Sequence, residues 1–193
     1  PIEHINSLRM IPNVHVFRPA DGLETAMCYK IAAELKTGPT VLAFTRQNLP
    51  QLERPSAFKR GDIAKGAYVT FERGSPDIVF IASGSEVSLA LDAAKGLPEK
   101  VGVRVVSMPC AELFRKQPKS YRDSVIPPSS KKVVCEAGTS FGWLNIIESG
   151  PDPTEFITLV RFGASAPANV IAEHLGLTPA AVIKKVTARF LSA

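Results

Sequence analysis

The feature of this sequence that most limits its fold is the alternation of short apolar runs with amphipathic helical patterns. Near the start, residues 14–17 and 40–44 are short and largely apolar, and residues 21–35 between them carry apolar side chains four positions apart. Two apolar strands joined by a helix are typical of a buried parallel sheet with a right-handed connection. The sequence therefore predicts an α/β fold.

The helix between these strands has clear start and stop signals. Asp21 is suited to cap its N-terminus, Glu24 three residues later completes a capping box, and Gly38-Pro39 ends the helix. Two strands and one helix bury too little surface to be stable alone. Residues 1–53 are therefore predicted to be the end of a larger α/β domain, a βαβ remnant whose other strands lie outside this sequence.

Residues 54–65 are polar, basic and interrupted by Pro and Gly, without helical or strand periodicity, which predicts a linker. Residues 66–193 are predicted to form a second α/β domain with three layers and a mostly parallel sheet. Its predicted strands are residues 77–82, 103–107, 132–135 and 156–160.

Local signals place helices in this second domain. A capping box at residues 83–86 begins the first of them, and Gly176 ends a later one. Thr178-Pro179 caps and opens the last helix. The apolar side chains of that helix that are predicted to face inward are Val182, Val186 and Phe190.

Composition excludes several classes of function. The net charge of +5 comes from basic residues scattered among acidic ones, so a nucleic-acid partner is not expected, and no apolar run is long enough to span a membrane. Cys28, Cys110 and Cys135 lie far apart in apolar contexts without metal-ligand spacing. They are predicted to be buried thiols in a reducing compartment, which argues against a metal site or redox chemistry.

Two arginines follow the first two predicted strands, at the edge of a parallel sheet where ligands collect. Arg18 follows the first strand and Arg46 the second. The planar guanidinium can bind a phosphate or carboxylate through two parallel hydrogen bonds. The alternative is that each arginine ties down a loop or a neighbouring subunit.

Two further groups of residues have a functional and a structural interpretation. The turn at residues 83–86 joins a strand to a helix N-terminus, where an anion can bind, although plain capping is favoured. Glu136, with the nearby residues 141–143, either lines a cleft or packs at a domain interface. The three histidines, which are interpreted as structural, are His4, His15 and His174.

Six strings in order along the chain resemble transketolase. They are Pro1-Ile2-Glu3-His4, Arg18-Pro19-Ala20-Asp21-Gly22, Thr45-Arg46-Gln47-Asn48-Leu49-Pro50, Gly84-Ser85-Glu86-Val87, Val105-Val106-Ser107-Met108-Pro109 and Arg161-Phe162-Gly163-Ala164-Ser165-Ala166-Pro167. The resemblance covers nearly the whole chain and corresponds to the C-terminal part of that family: the end of the pyrimidine-binding domain and the C-terminal domain.

The resemblance implies a thiamine-diphosphate transferase of the pentose phosphate pathway, with Mg²⁺ or Ca²⁺ anchoring the diphosphate. Such enzymes are homodimers that move two-carbon ketol units from ketose phosphates to aldose phosphates. Arg46 occupies the position of the family arginine that binds the phosphate of the sugar. A cytoplasmic enzyme is expected, with a plastid or another organelle as alternatives.

Other family motifs are not in these residues. The family has a substrate-binding His-Gln pair before Pro1, and its activating glutamate and Gly-Asp-Gly metal motif lie further upstream. No catalytic, cofactor-binding or metal-binding residue is therefore assigned here, and the isolated fragment is expected to be inactive and to bind no cofactor. Val160 stands where relatives commonly carry Asp, which puts a local ion pair in doubt.

Two other functions remain open. The chain can be a non-catalytic dimerisation or interaction module. It can also belong to a related thiamine-diphosphate enzyme, such as deoxyxylulose-phosphate synthase or a pyruvate dehydrogenase β-subunit. The string at residues 45–50 favours transketolase over these relatives.

Overall fold

The structure is a computed structural model that describes residues 2–147 and 152–192. It begins with a short helix, α1 (His4–Arg9), which precedes a two-stranded sheet. Strand β1 (His15–Phe17) runs parallel to β2 (Thr40–Leu42), and helix α2 (Gly22–Glu34) connects them. The predicted strand–helix–strand unit is present. Helix α1 was not predicted, because its sequence is too short to show helical periodicity.

A five-stranded sheet forms the centre of the rest of the chain, in the order β3-β5-β4-β6-β7. Its strands are β3 (Tyr68–Arg73), β4 (Ile78–Ala82), β5 (Val103–Ser107), β6 (Lys131–Cys135) and β7 (Glu155–Ile157). All neighbours are parallel except β3, which pairs antiparallel with β5 at one edge. The mostly parallel sheet is confirmed.

Two strand predictions need correction. Strand β3 was not predicted, because it lies at an edge and alternates buried with partly exposed residues instead of forming a continuous apolar run. The strand expected at residues 156–160 is Glu155–Ile157. Beyond Ile157 the regular pairing stops: Leu159 N donates to Gly138 O, after the end of β6, and Val160 is 94% exposed.

Helices cover both faces of this sheet. Their bounds are α3 (Glu86–Gly96), α4 (Ala111–Arg115), α5 (Lys119–Val125), α6 (Ala168–His174) and α7 (Pro179–Phe190), with short 3-10 helices at Arg60–Lys65 and Trp143–Asn145. Helices α3 and α7 share one apolar core with the sheet, and α4, α5 and Trp143 share a second on the opposite face. The predicted three layers are confirmed.

The caps agree with the sequence in part. Thr178 Oγ1 accepts from Ala181 N at 3.4 Å, and Gly176 follows α6 with a φ of +71°. Asp21 Oδ1 accepts from Glu24 N at 2.8 Å, as expected of an N-cap. The Glu24 carboxylate, however, accepts from Ala20 N instead of from the capping residue, so the predicted capping box is displaced by one residue.

The segment predicted to be an irregular linker contains a helical turn. Arg60–Lys65 is a 3-10 helix in which Ile63 is fully buried. Asp62 stabilises both of its ends, accepting from Lys59 N and from Lys65 Nζ, each at 2.9 Å. A helix of six residues is too short to produce a periodic pattern, so sequence periodicity did not reveal it.

The two sheets are joined by a third apolar cluster. Phe17, Cys28 and Ile31 from the first unit pack with Ile63 and Tyr68 and with other residues of the second. Both units therefore share buried surface. Among the residues that the structure describes, every helix is too short or too polar to cross a bilayer.

Candidate functional site

The carboxyl ends of β1 and β2 lie side by side against the second sheet. Ala43, directly after β2, donates its N–H to Phe17 O at 2.8 Å. Arg18, directly after β1, donates its N–H to Pro109 O at 2.8 Å and accepts from Gly84 N at 2.9 Å. The backbone at this edge is therefore fixed to the second domain.

The Arg18 side chain is enclosed by carboxylates of the same chain. Its Nη1 lies 2.7 Å from Glu136 Oε1, and its Nη2 lies 3.0 Å from Glu86 Oε2. Gly84 permits this approach, because a Cβ on it would lie 3.2 Å from the guanidinium and its φ is +60°. Of the two interpretations of Arg18, the structure supports an arginine that ties down a loop.

Glu136 is the centre of this arrangement. It is 1% exposed and accepts hydrogen bonds from Arg9 Nη1 at 3.0 Å, from Ser83 Oγ at 3.1 Å and from Trp143 Nε1. Burial acts to raise the pKa of this carboxyl, but the charges of Arg9 and Arg18 outweigh it and hold the pKa below its ordinary value. We call these residues the Glu136 cluster: Arg9, Arg18, Ser83, Glu86, Glu136 and Trp143.

The predicted capping box at residues 83–86 is wrong. Ser85 is the N-cap of α3 and its side chain makes no capping bond, while the Ser83 hydroxyl donates to Glu136. Glu86 faces Arg18. The Ser83 and Glu86 side chains therefore bind Glu136 and Arg18 instead of capping α3. A buried guanidinium is costly unless it is paired and hydrogen-bonded.

Arg9 is a residue of the cluster that sequence reasoning missed. It lies on α1, contacts Glu136 and stacks over the Trp143 ring with its Cζ 5.1 Å from the ring centre. Asn6 on the same helix donates to Thr139 Oγ1 at 2.8 Å. Of the alternatives for Glu136 and residues 141–143, packing at a domain interface is observed for Glu136 and Trp143, whereas Phe141 is 84% exposed.

Arg46 presents a different environment from Arg18. It is exposed on the segment 43–52, which we call the Arg46 loop, and among the described residues no carboxylate forms an ion pair with it. The residues on either side bond to each other: Thr45 Oγ1 donates to Gln47 Oε1 at 2.7 Å. The loop therefore presents an exposed guanidinium.

A cavity of about 570 Å³ opens beside the start of this loop. Phe44, Thr45 and Gln47 line one side of it, and helix α6 with Leu159 lines the other. The cavity thus separates the start of the Arg46 loop from α6 and leaves room for a small molecule there.

Of the histidines and cysteines, His15 and the three thiols are buried, and the other two histidines lie at the surface. His15 is 1% exposed with its Nε2 3.0 Å from Lys116 Nζ, and burial and this lysine lower its pKa. His4 and His174 are exposed. The three thiols are buried, and burial raises the pKa of each; they are Cys28, Cys110 and Cys135.

The described residues do not fit a diphosphate with its metal ion. Residues 2–147 and 152–192 contain no group of three or more His, Cys, Asp or Glu side chains arranged to hold a metal. The acids nearest the sheet edge, Glu86 and Glu136, already pair with arginines. Among the residues that follow β1 and β2, Arg46 offers a ligand an exposed guanidinium.

Comparison with known protein families assigns both parts of the chain. Residues 1–51 match the family model described as transketolase, pyrimidine binding domain, and residues 66–178 match the one described as transketolase-like C-terminal domain. The plasmid transketolase of Cupriavidus necator is 46% identical over 184 residues, which are 94% of this chain and 27% of that protein. The chain thus spans about a quarter of the length of this curated relative.

Solved structures give the same assignment. Transketolase from Leishmania mexicana superposes with a TM-score of 0.87 at 40% identity, over 98% of this chain and 27% of that one. A chain described as split gene transketolase, inactive beta4 tetramer, superposes with a TM-score of 0.73 at 25% identity, over 98% of this chain and 61% of that one. By fold, by sequence and by both domain models, the chain belongs to the transketolase family.

Proposed function

We propose that this chain acts as the C-terminal part of a transketolase, an enzyme that transfers two-carbon ketol units from ketose phosphates to aldose phosphates. The observation that carries the proposal is the contrast between two arginines at the sheet edge: Arg18 pairs with two carboxylates, while Arg46 is exposed and pairs with no carboxylate of residues 2–147 and 152–192. We assign Arg46 to the phosphate group of the sugar.

The chemistry of the loop suits this role. A guanidinium donates two parallel charge-assisted hydrogen bonds to phosphate oxygens and keeps its charge at every physiological pH. The Thr45–Gln47 hydrogen bond lies across Arg46 and restricts the backbone that carries it. The proposed contribution of this chain is therefore to bind and orient the phosphorylated end of the substrate.

The remaining parts of the active site are proposed to come from outside these residues. Thiamine diphosphate, with Mg²⁺ or Ca²⁺, would supply the carbanion chemistry, and a homodimer in the cytoplasm or an organelle is the proposed assembly. We retain residues 1–53 as the end of the pyrimidine-binding domain, 54–65 as the linker and 66–193 as the C-terminal domain. The isolated chain is expected to bind no cofactor and to have no activity.

Affinity purification from the native source tests this proposal. A tag on the C-terminus of this chain should recover an assembly that transfers a ketol unit from xylulose 5-phosphate to ribose 5-phosphate, with a requirement for thiamine diphosphate and a divalent cation. The purified chain alone should show neither transfer nor calorimetric heat with the cofactor. An assembly without transfer activity, or turnover by the chain alone, contradicts the proposal.

A second candidate is a non-catalytic interaction module. It is favoured by the similarity to a chain described as an inactive tetramer, and by the exposed, mutually stacked rings of Tyr29 and Phe44, whose centres are 5.8 Å apart. Such a module must self-associate, which light scattering after size exclusion measures. A strictly monomeric chain at micromolar concentration argues against this role.

A further inference from the structure

The Arg46 loop begins at a fixed point. Ala43 N donates to Phe17 O at 2.8 Å, which extends the β1–β2 pairing by one residue. The Phe44 ring stacks on Tyr29 of α2 at an interplanar angle of 24°. The chain therefore enters the loop from a position set by both the sheet and the helix.

The loop ends at a second fixed point, the carboxylate of Asp21. Asp21 Oδ2 accepts from Gln51 Nε2 at 2.5 Å and from Leu52 N at 3.0 Å. Arg54 adds Nη1 at 2.8 Å to Oδ2 and Nη2 at 2.9 Å to Oδ1. The last residues of the loop are thus bound to the first turn of α2, where Asp21 also caps the helix.

Helix capping alone does not account for this number of contacts. A cap needs one or two donors from the first turn, and Glu24 N already supplies one. The other four hydrogen bonds to Asp21 come from Gln51, Leu52 and Arg54. Asp21 is 4% exposed, so its carboxylate is shielded from water, although the Gln51 residue itself is exposed.

Arg54 connects the same carboxylate to the second domain. Its Nε donates to the Tyr68 hydroxyl at 3.0 Å, and its Nη1 donates to Leu52 O at 3.1 Å. Tyr68 in turn donates to Glu24 Oε1 at 2.7 Å. The end of the loop is therefore held by a buried network that includes α2, the loop itself and strand β3.

From this geometry we propose that Asp21 and Gln51 are positioning residues for Arg46: by fixing the end of the Arg46 loop, they set how tightly the enzyme binds phosphorylated sugars. The inference rests on the proposed function of Arg46. A loop of this length with both ends fixed samples fewer conformations, so less freedom is lost when Arg46 binds a phosphate. Releasing one end should weaken that contact without touching the guanidinium.

The substitution Gln51→Glu loosens the end of the loop at residue 51 with little change of shape, while the bond from Leu52 N to Asp21 remains. It replaces the amide that lies 2.5 Å from Asp21 Oδ2 by a carboxylate, so two like charges face each other, while the Asp21–Arg54 ion pair and the helix cap keep their partners. Gln117→Glu is the matched control. Gln117 also donates through its amide, to Leu113 O at 3.1 Å, but lies outside the loop.

Kinetics of the complete enzyme give the first readout. Gln51→Glu should raise KM for phosphorylated acceptors about ten-fold, because a binding group that is slightly misplaced loses about this much affinity. KM for unphosphorylated acceptors should stay unchanged. Gln117→Glu should leave KM for both kinds of acceptor unchanged. In an Arg46→Ala background, Gln51→Glu should have no further effect on the preference for phosphorylated acceptors, because the group that it positions is absent.

Limited proteolysis of the chain itself gives a readout that does not depend on activity. Trypsin cleaves after Arg46 only if the loop can open, so Gln51→Glu should speed cleavage of the 46–47 bond about ten-fold or more while Gln117→Glu leaves it unchanged. Equal cleavage rates in Gln51→Glu and the unmodified chain overturn the inference.

The two readouts separate the inference from the function on which it rests. If Arg46→Ala selectively weakens the binding of phosphorylated acceptors but Gln51→Glu does not, the positioning role is wrong and the proposed function stands. If Arg46→Ala shows no selectivity for phosphorylated acceptors, the role of Arg46 is wrong and the inference falls with it, whatever the proteolysis shows.

Discussion

Arg18 and Arg46 follow neighbouring strands at the same edge of one sheet, yet their surroundings differ in every respect. The Arg18 side chain is 13% exposed and contacts two carboxylates and a hydroxyl, whereas Arg46 is exposed and has no carboxylate partner among the described residues. Position at a sheet edge therefore does not separate a structural arginine from a binding one. The two kinds of arginine are distinguished by the side chains that pack against each of them.

The difference also predicts opposite responses to mutation. Charges buried in a cluster depend on one another, because removal of one leaves the others desolvated and unpaired. An exposed guanidinium keeps its hydration when its neighbours change. Changes in the Glu136 cluster should therefore appear in stability, and changes at Arg46 should appear in substrate binding.

The largest effect is expected from Glu136→Gln. Loss of this charge leaves Arg9 and Arg18 without their shared partner in a buried site, which should lower the free energy of unfolding by about 3–5 kcal/mol. Urea denaturation measures the change. The same substitution at Glu34, which pairs with Lys30 at 3.6 Å on the surface, should cost at most about 0.5 kcal/mol. A loss below about 1 kcal/mol at Glu136 contradicts the account.

A smaller loss is expected from Asp21→Asn. The amide keeps the size of the side chain but removes the charge that Arg54 neutralises, so the loss should be about 1.5–3 kcal/mol, typical of a hydrogen bond to a charged group. Asp123→Asn, in a partly exposed pair with Lys119, is the matched control and should cost less than about 0.5 kcal/mol. Equal losses for the two variants would show that burial of Asp21 is unimportant.

Acid should weaken the fold through the same two carboxylates. The pKa values of Glu136 and Asp21 are held below their ordinary values of 4.5 and 3.8, since their arginine partners and hydrogen bonds outweigh burial. Their stabilisation is complete above these ordinary values and is lost as the pH falls through the lower folded values. Burial raises the pKa of Glu24, which contributes in the opposite sense.

Equilibrium unfolding between pH 6 and pH 3 measures this dependence. The unmodified chain should lose stability as the pH falls below about 4.5, and Glu136→Gln should show a shallower slope because one of the two carboxylates is gone. Identical slopes for the two proteins would contradict the assignment of Glu136 as ionised.

The smallest effect on stability is expected at Arg46. Arg46→Ala removes an exposed side chain, so the free energy of unfolding should change by no more than about 0.5 kcal/mol. Arg18→Ala, measured beside it by urea denaturation, should cost several times more. Similar losses for the two variants would remove the distinction between the arginines.

The α/β class and the main elements were predictable because they depend on local patterns. A continuous apolar run marked β4, shorter apolar runs marked β5 and β6, and cap residues marked the starts of α2 and α7. Features without a local pattern escaped prediction. The edge strand β3 and the 3-10 helix Arg60–Lys65 are examples, because one is half exposed and the other is a single short turn.

The site was less predictable than the fold, since it depends on contacts between distant residues. Sequence placed Arg18 and Arg46 at the sheet edge but could not show that Glu136, far along the chain, pairs with Arg18 and not with Arg46. Ser83 was predicted to be a capping residue for the same reason: local sequence does not show that its hydroxyl donates to the distant Glu136. Arg54 lay in a predicted linker and proved to be buried against Asp21.

The most direct test of the central claim compares acceptors with and without a phosphate in the complete enzyme. Arg46→Ala should reduce kcat/KM for ribose 5-phosphate by about 10- to 150-fold, equivalent to the 1.5–3 kcal/mol of a charge-assisted contact, and leave kcat/KM for unphosphorylated ribose unchanged. An equal reduction for both acceptors, or no reduction for either, would show that Arg46 does not bind the phosphate of the sugar.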